Sequence, residues 1–233
     1  MTELSGRVFA VTGASGGMGR VICRMLAEAG GKLALTSNDR AAMDELKKEL
    51  PPDTLTEILD ITKEEEVSAF FGKIGEAYGH ADALLNLAGL SIPAKIGEME
   101  ETDYDLTMDV NLKGTFLASK HFIPIAGKNA QIINIGSMAA LRANGNAPLY
   151  CTAKASVNMF SSGLQIQAAP AGIRVTVLNP GGADTPFWGN RKVAREKLLK
   201  PEAVAEVIRF VLTCDPNTAI HEINFESFLM MQG

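Results

Sequence analysis

The sequence predicts one α/β domain over residues 1–233, built on a doubly wound, central parallel sheet of about seven strands. Short runs of β-branched and aliphatic residues alternate with segments of helical periodicity along almost the whole chain. A glycine-rich turn follows the first of these runs and leads into the first helical segment. Such an alternation requires right-handed crossovers, which produce a parallel sheet covered by helices on both faces.

The strands are predicted from short apolar runs that end at turn-forming residues or at a change of periodicity. The first run, RVFAV, contains four consecutive apolar residues, as expected of a strand that is buried on both faces. The predicted strands, in chain order, are 7–11, 32–36, 55–59, 83–86, 131–135, 174–179 and 223–225.

The helices are predicted from apolar residues spaced three and four positions apart. Met18, Ile22 and Met25 mark one face of the first helix, and Pro51 and Pro52 end the second. Two segments are apolar on most sides, which predicts burial either in a subunit interface or in a close-packed core. These two are 103–123 and 149–168; the other predicted helices are 18–29, 39–50, 67–78 and 204–212.

Composition argues against several classes of protein. The net charge is −5 and no apolar run approaches the ~20 residues that span a bilayer, so we expect no nucleic-acid partner and no membrane association. The three cysteines lack ligand spacing, and His80, His121 and His221 are scattered, so no metal site is expected. The acidic start of the chain differs from a secretory signal, and the expected location is the cytoplasm.

The turn VTGASGGMGR, residues 11–20, has the pattern of a dinucleotide-binding turn. Gly13, Gly17 and Gly19 follow a strand and open a helix, with an extra residue relative to the common G-x-G-x-x-G pattern. Glycines here let the backbone turn tightly and approach a pyrophosphate, which the positive end of the helix attracts. A plain strand-to-helix turn is the alternative interpretation.

Tyr150 and Lys154 lie one turn apart on a predicted helix, and Ser137 follows a predicted strand. Residues four apart share a helix face, so the Lys154 cation can approach the phenol and lower its pKa from the ordinary value of about 10. Such a phenol can give a proton to an alkoxide or take one from an alcohol. The alternatives are a packing pair for Tyr150 and Lys154 and a strand-end cap for Ser137.

Together these motifs resemble the short-chain dehydrogenase/reductase family over nearly the whole chain. The resemblance implies a Rossmann-like fold and a catalytic tetrad of Asn111, Ser137, Tyr150 and Lys154, in which Asn111 holds a water that connects Lys154 to solvent. Asn111 could instead satisfy backbone groups in its own helix. The matching stretches beside the glycine turn are NLAG at 86–89, DVNLKG at 109–114, NIGS at 134–137, YCTAK at 150–154 and NPGGADTP at 179–186.

The resemblance also implies a nicotinamide cofactor. Asp60 and Ile61 would contact its adenine, and Thr185 would hydrogen-bond its carboxamide. Leu87 departs from the second asparagine of the family's N-N-A-G. The implied cofactor-binding residues are Gly13, Ser15, Gly16, Gly17, Met18, Gly19, Ser37, Asn38, Arg40, Asp60, Ile61, Asn86, Ala88, Gly89, Tyr150, Lys154, Pro180, Gly181 and Thr185.

The end of the second strand predicts a preference for NADP, with NAD as the alternative. By resemblance, Ser37 stands where NAD-selective relatives have an aspartate, and its hydroxyl can donate to a 2′-phosphate while Arg40 adds a positive charge. Asp39 brings a negative charge nearby, and Gly16 stands where many NADP-using relatives have a basic residue. We expect the missing carboxylate at Ser37 to outweigh both.

The implied function is an oxidoreductase that transfers a hydride between the cofactor and the carbonyl or alcohol of a small substrate, with Tyr150 as general acid and base. The alternatives are a 3-oxoacyl thioester reductase, a catalytically silent nucleotide-binding regulator, and an epimerase or dehydratase of a related, longer family. The last requires an extra substrate domain. A homo-oligomer, either a tetramer or a dimer, is also implied.

The substrate side departs from the family. The lid around 183–200 is short, and the tail HEINFESFLMMQG replaces a glycine-rich stretch; a small polar or hydroxy-acid-like substrate is therefore favoured. Arg142 could receive a substrate carboxylate or phosphate, or it could simply be solvated. Trp188 could cover the nicotinamide or the substrate, or pack against the lid. The candidate pocket residues are Ile92, Met138, Leu141, Asn146, Phe187 and Trp188.

Overall fold

The computed structural model describes residues 3–232, in which seven strands form one sheet and every neighbouring pair is parallel. The strand order is β3-β2-β1-β4-β5-β6-β7, which confirms the predicted doubly wound sheet. Because the order reverses between β1 and β4, the carboxyl ends of these strands border a crevice, where ligands bind in such folds. The strands are β1 (Val8–Thr12), β2 (Lys32–Ser37), β3 (Leu55–Ile58), β4 (Ala81–Asn86), β5 (Ala126–Ile135), β6 (Arg174–Pro180) and β7 (Glu222–Phe225).

Seven of the described helices lie between strands and cover both faces of the sheet, and the eighth follows β7. They are α1 (Gly17–Glu28), α2 (Arg40–Lys47), α3 (Glu64–Tyr78), α4 (Glu101–Met108), α5 (Gly114–Phe122), α6 (Pro148–Ala168), α7 (Pro201–Thr213) and α8 (Phe228–Met231). Within residues 3–232, no helix combines the length and apolarity that a membrane crossing requires.

Several predicted helices differ from those observed, and α3 and α7 each begin three residues earlier than predicted, at Glu64 and Pro201. The second was expected to reach Leu50, but α2 ends at Lys47 and a turn follows. A residue before proline avoids the helical region, which explains an end ahead of Pro51. The predicted segment 103–123 is divided into α4, a π-helical turn at Asp109–Lys113, and α5.

The two faces of the sheet carry separate hydrophobic clusters. One joins α1, α2 and α7 to the sheet through side chains such as Leu26, Leu46 and Ile208. The other joins α3, α5 and α6 through side chains such as Phe70 and Phe122. Each such side chain, taken fully out of water, contributes about 1.5–3 kcal/mol, so both helical layers are held firmly to the strands.

A buried polar chain fixes α6 against the centre of the sheet. Asn86 on β4 donates from Nδ2 to Asn134 Oδ1 on β5 (2.8 Å), and Asn134 Nδ2 donates to Ser161 Oγ on α6 (2.9 Å). Ser161 in turn donates to the Val157 carbonyl oxygen (2.7 Å). Buried polar groups are costly unless paired, so these bonds specify where α6 lies along the strands.

Candidate active site

Ser137, Tyr150 and Lys154 come together at the carboxyl end of the sheet. Ser137 follows β5 by two residues, and Tyr150 and Lys154 lie in the first two turns of α6. All three line one cavity of about 580 Å³, which we call the substrate cavity. The structure thus brings three of the four tetrad residues implied by the sequence into one space.

The Ser137 hydroxyl is oriented by its neighbours. Its Oγ accepts from the Ala139 N–H (3.1 Å), while its own backbone N–H donates to Asn179 Oδ1 (2.9 Å). Ser137 also influences the Tyr150 phenol, whose pKa it lowers against the larger effect of burial. Ser137 thus caps the turn at Met138–Ala140 and also lines the cavity beside Tyr150.

Burial sets the protonation of Tyr150. Burial raises the pKa of its phenol to about 12, and the opposing effects of the Ser137 hydrogen bond and the Arg191 charge are smaller. The lowered pKa expected from the spacing of Tyr150 and Lys154 is therefore not found in the protein alone. Desolvation outweighs the effect of Arg191, the cation that lowers the pKa of this phenol.

Lys154 is buried beside Tyr150. Its Nζ lies 5.9 Å from the centroid of the tyrosine ring and donates to the Ile135 carbonyl oxygen at 2.8 Å. Burial lowers the pKa of Lys154 to about 8. The lysine is thus charged below that pH and loses its charge above it.

Asn111 lies in the π-helical turn, completely buried. Its Nδ2 donates to the carbonyl oxygens of Leu90 and Thr107, both at 2.8 Å. Its Oδ1 is buried without a hydrogen-bond partner within the described chain. A Cβ on Gly89 would lie 2.9 Å from this oxygen and 3.2 Å from Lys154 Nζ, so both polar atoms face Gly89. Single π-helical turns are frequent at functional sites.

A second cavity of about 690 Å³, which we call the cofactor cavity, contains the glycine turn. Gly13 has φ +66°, and a Cβ there would lie 2.7 Å from the Ala88 nitrogen. A Cβ on Gly17 would lie 2.6 Å from Thr185 Cβ. The N-terminus of α1 has no side-chain cap, so its free N–H groups and positive dipole fit a pyrophosphate. Leu87 and Gly89 line both cavities and join them.

Most of the implied cofactor-binding residues line these cavities, and three do not. Gly19 packs beneath the turn, where a Cβ would lie 2.4 Å from the Gly13 oxygen; Asn86 belongs to the buried polar chain; Arg40 is exposed outside both cavities. The cofactor cavity is lined by Gly13, Ser15, Gly16, Gly17, Ser37, Asn38, Asp60, Ile61, Ala88 and Gly89. The substrate cavity is lined by Met18, Gly89, Tyr150, Lys154, Pro180, Gly181 and Thr185.

Ser37 is buried where β2 ends. Its Oγ lies 2.5 Å from Ser15 Oγ and accepts from the Asp39 N–H at 3.1 Å. The Asp39 carboxylate caps α2 by accepting from the Ala42 N–H (2.9 Å). Arg20, which sequence reasoning missed, lines this end of the cofactor cavity and pairs with Glu49 at 3.4 Å. The cation at this end is therefore Arg20 rather than Arg40.

The substrate side differs from its predicted lining. Met138, Phe187 and Trp188 line the substrate cavity, whereas Ile92, Leu141 and Asn146, all in the described part of the chain, do not. Two charged residues that were not predicted to line the substrate cavity are found on its wall.

These two residues are Arg191, from the segment after Trp188, and Glu226, from the tail after β7. Glu226 pairs with Arg142 at 2.6 Å, so the charge of Arg142 is balanced by a carboxylate, while its side chain stays 59% exposed. This pairing follows from the tertiary fold, because the two residues are 84 positions apart.

Asp60 and Ile61 follow the carboxyl end of β3 and lie on the wall of the cofactor cavity. Partial burial of Asp60 is outweighed by hydrogen bonds from Thr62, which hold the pKa of its carboxyl below the usual range. Among residues 3–232, no group of three histidine, cysteine, aspartate or glutamate side chains is arranged to hold a metal ion.

Comparison with known proteins agrees with this geometry. Residues 7–196 match the family model of short chain dehydrogenases. The chain is 33% identical over 229 residues to an uncharacterised oxidoreductase of Staphylococcus saprophyticus, covering 96% of this chain and 98% of that protein.

Two solved structures share the whole fold. An alcohol dehydrogenase of the archaeon Thermococcus sibiricus, complexed with 5-hydroxy-NADP, is 26% identical, with a TM-score of 0.89 and coverage of 97% and 98% of the two chains. A 3-ketoacyl-(acyl-carrier-protein) reductase of Brucella melitensis, complexed with NADH, is 27% identical, with a TM-score of 0.90 and coverage of 97% and 99%. The chain belongs to the short-chain dehydrogenase family and is an NAD(P)-dependent oxidoreductase.

Proposed function

We propose that this oxidoreductase acts on the carbonyl or alcohol group of a small substrate, with Tyr150 as general acid and base. The observation that carries the proposal is that Ser137, Tyr150 and Lys154 line one cavity that adjoins the glycine turn. When bound there, the nicotinamide would supply or accept the hydride. The chain's own residues would handle the proton.

In the reduction, Tyr150 would give its proton to the substrate oxygen, and Ser137 would donate a hydrogen bond to the same oxygen. Burial, which raises the pKa of Tyr150 to about 12, keeps the phenol protonated and ready to donate at neutral pH. Lys154, charged below its pKa of about 8, would stabilise the phenolate that forms. In the oxidation, the phenolate would take the proton from the alcohol.

Asn111 would hold a water that connects Lys154 to solvent. Its buried Oδ1 has no partner within residues 3–232 and faces Gly89, as does Lys154 Nζ. An unpaired buried acceptor is costly, which supports a polar ligand at this point. Asp60, Ile61 and the glycine turn would hold the adenine and the pyrophosphate.

Tyr150→Phe tests the proposal directly. The change keeps the ring and removes the exchangeable proton, so turnover should fall by ~10² or more while cofactor affinity stays near that of the wild type. Tyr104→Phe is the matched control, since Tyr104 is exposed on α4 and loses the same hydroxyl. Near wild-type turnover in Tyr150→Phe would remove Tyr150 from the mechanism.

A second candidate is a 3-oxoacyl thioester reductase, because the Brucella melitensis relative is named as such a reductase. The small substrate is preferred because Phe187, Trp188 and the Arg142–Glu226 pair bound the substrate cavity. The ratio of kcat/KM for a 3-oxoacyl thioester and a short ketone separates the two. If the protein binds the cofactor but turns over none of these compounds, the result would favour the third alternative, a catalytically silent nucleotide-binding regulator.

We also propose a preference for NADP. Ser37 places no carboxylate at the end of β2, and Arg20, which pairs with Glu49, brings a cation to the wall of the cofactor cavity. Asp39 lines the same wall, where its carboxylate caps α2. A 2′-phosphate needs positive charge and no opposing carboxylate.

The remaining proposals concern organisation. Residues 1–233 would form a single dinucleotide-binding and catalytic domain, with a short substrate lid around 183–200, in a cytoplasmic homo-oligomer that is a tetramer or a dimer. The assembly is supported by Phe116 on α5 and by Met159 and Ile166 on α6, which are 44%, 74% and 80% exposed in the single chain. Apolar area of this kind marks a site of association.

A further inference from the structure

Two cations of the substrate cavity, Lys154 and Arg191, have no carboxylate partner in the described chain, and Arg191 is the one outside the Tyr150–Lys154 pair. Arg142, Lys154, Arg191 and Glu226 are the charged residues among its lining. Arg142 is paired with Glu226, and Lys154 is buried on the Ile135 carbonyl oxygen. No carboxylate in the described chain lies within ion-pair distance of Arg191. The cavity therefore carries an excess positive charge at Arg191.

The Arg191 guanidinium is held in place by its own segment. Its Nε donates to the Trp188 carbonyl oxygen at 2.9 Å, and its Nη2 donates to the Phe187 carbonyl oxygen. The guanidinium carbon lies 5.0 Å from the centroid of the Phe187 ring and 5.1 Å from that of Trp188. A guanidinium has five N–H donors, so these two bonds leave the others for a ligand. The group is preorganised rather than loose.

Arg191 is also close to the reacting side of the cavity. The Phe187 ring, on which the guanidinium rests, lies 5.9 Å from the Tyr150 ring between centroids. The Arg191 charge is one of the influences that lower the pKa of Tyr150 against the larger effect of burial. An anion bound at Arg191 would therefore lie within a few atoms of a carbonyl that faces Tyr150.

We propose that the substrate is a short oxo acid, or the corresponding hydroxy acid, whose carboxylate is bound by Arg191. This inference rests on the proposed function and adds the substrate class to it. In the reduction, the carbonyl carbon takes a hydride from the reduced nicotinamide, and the carbonyl oxygen takes the phenolic proton of Tyr150. The carbonyl gains two electrons, the cofactor loses two, and the carboxylate is unchanged. Arginine binds carboxylates through paired, charge-assisted hydrogen bonds, which also orient the ligand.

The first test compares an acid with its ester on the same carbon skeleton. 3-Oxobutanoate and methyl 3-oxobutanoate form the lead pair, with cofactor turnover as the signal. Wild type should prefer the acid, and Arg191→Gln should lower kcat/KM for the acid by about 10- to 100-fold, since it removes hydrogen bonds to a charged group. The kcat/KM for the ester should change little in Arg191→Gln, because the uncharged ester loses only packing contacts with the arginine side chain.

Lys192→Gln is the matched control for Arg191→Gln. Lys192 is the next residue, is exposed and does not line the cavity, so the same loss of charge should leave the acid-to-ester ratio unchanged. A merely structural role for Arg191 would lower acid and ester together. That outcome, or an unchanged ratio in Arg191→Gln, would overturn the inference and leave the reductase function standing.

The second test needs no turnover. Trp188 is the single tryptophan of the chain and lies against Arg191, so its fluorescence reports on this corner of the cavity. With saturating oxidised cofactor present, butanoate should alter the fluorescence and bind more tightly than butanamide, and Arg191→Gln should abolish the difference. Equal binding of the two compounds overturns the carboxylate site. If butanoate binds as expected but no acid, ester or ketone is reduced, the proposed function fails instead.

Discussion

Ser37 is the residue at which the choice between the two nicotinamide cofactors is tested. Its neutral side chain lies at the end of β2 in contact with Ser15, on the wall of the cofactor cavity. Ser37→Asp would place a carboxylate there, which accepts from a ribose 2′-hydroxyl and repels a 2′-phosphate. We expect the ratio of kcat/KM for NADP and NAD to move toward NAD by about 1–3 kcal/mol.

Ser37→Ala is the control for this prediction, because it alters the side chain without adding charge and should shift the ratio less. Ratios are measured with one substrate at matched pH and salt, so that differences in the chemical step cancel. A wild-type enzyme that already favours NAD strongly would show that Ser37 is not the discriminating position.

At the same scale, the spacing of Tyr150 and Lys154 was enough to place both on one helix face. It could not predict the sign of the shift in the pKa of Tyr150, because desolvation depends on the walls of the cavity. Arg142 was a reasonable candidate for an anion, but Glu226 neutralises it from a distant segment. Arg191 was missed because only the tertiary fold carries it into the cavity.

At the scale of elements, α5 and α6 form the face on which assembly is expected. Phe116 and Phe160 contact each other across these helices, with ring centroids 6.4 Å apart, and Met159 and Ile166 lie two turns apart on α6. Met159→Glu combined with Ile166→Glu should dissociate the oligomer, because burying two unpaired carboxylates is costly. Light scattering at micromolar concentration gives the mass.

Phe210→Glu is the control for the assembly prediction. Phe210 is 56% exposed on α7, which packs on the opposite face of the sheet, so the variant should retain contacts made through α5 and α6. A wild type that is monomeric would contradict the prediction of an oligomer. If Phe210→Glu alone dissociated the oligomer, the interface would be assigned to α7 instead of α5 and α6.

Strands and helices were largely predictable because each is encoded by a local pattern. The apolar runs gave the strands of the sheet, and the three-and-four spacing gave the helix that carries Tyr150 and Lys154. The early end of α2 and the π-helical turn around Asn111 were not predicted. In both places the three-and-four spacing of apolar residues continues although the α-helix is interrupted. The spacing alone therefore does not reveal the interruption.

At the scale of the whole molecule, the doubly wound order explains why distant motifs form one site. The glycine turn after β1, Ser137 after β5 and the segment after β6 all leave the same edge of the sheet. Parallel strands require this convergence, so alternation of strands and helices predicted where the motifs would meet. Glu226, in the tail after β7, also lies at this edge and lines the substrate cavity. This position was not predicted from the sequence.

The tight fit of Gly17 against Thr185 has a kinetic consequence. Thr185 and Pro186 begin the segment that lies on the glycine turn, and the same segment continues to Phe187 and Arg191 on the wall of the substrate cavity. A dinucleotide seated on the turn must therefore bias the position of that wall, and coupling of this kind is reciprocal. We expect compulsory-order kinetics in which the cofactor binds before the carbonyl compound.

Product inhibition measures this order. Oxidised cofactor should compete with reduced cofactor and should be noncompetitive toward the carbonyl compound, whereas the alcohol product should compete with neither. Competition between the alcohol product and the carbonyl compound on the enzyme without cofactor would indicate random addition and contradict the expectation. In an ordered cycle, no substrate is held at Tyr150 until the hydride donor is in place.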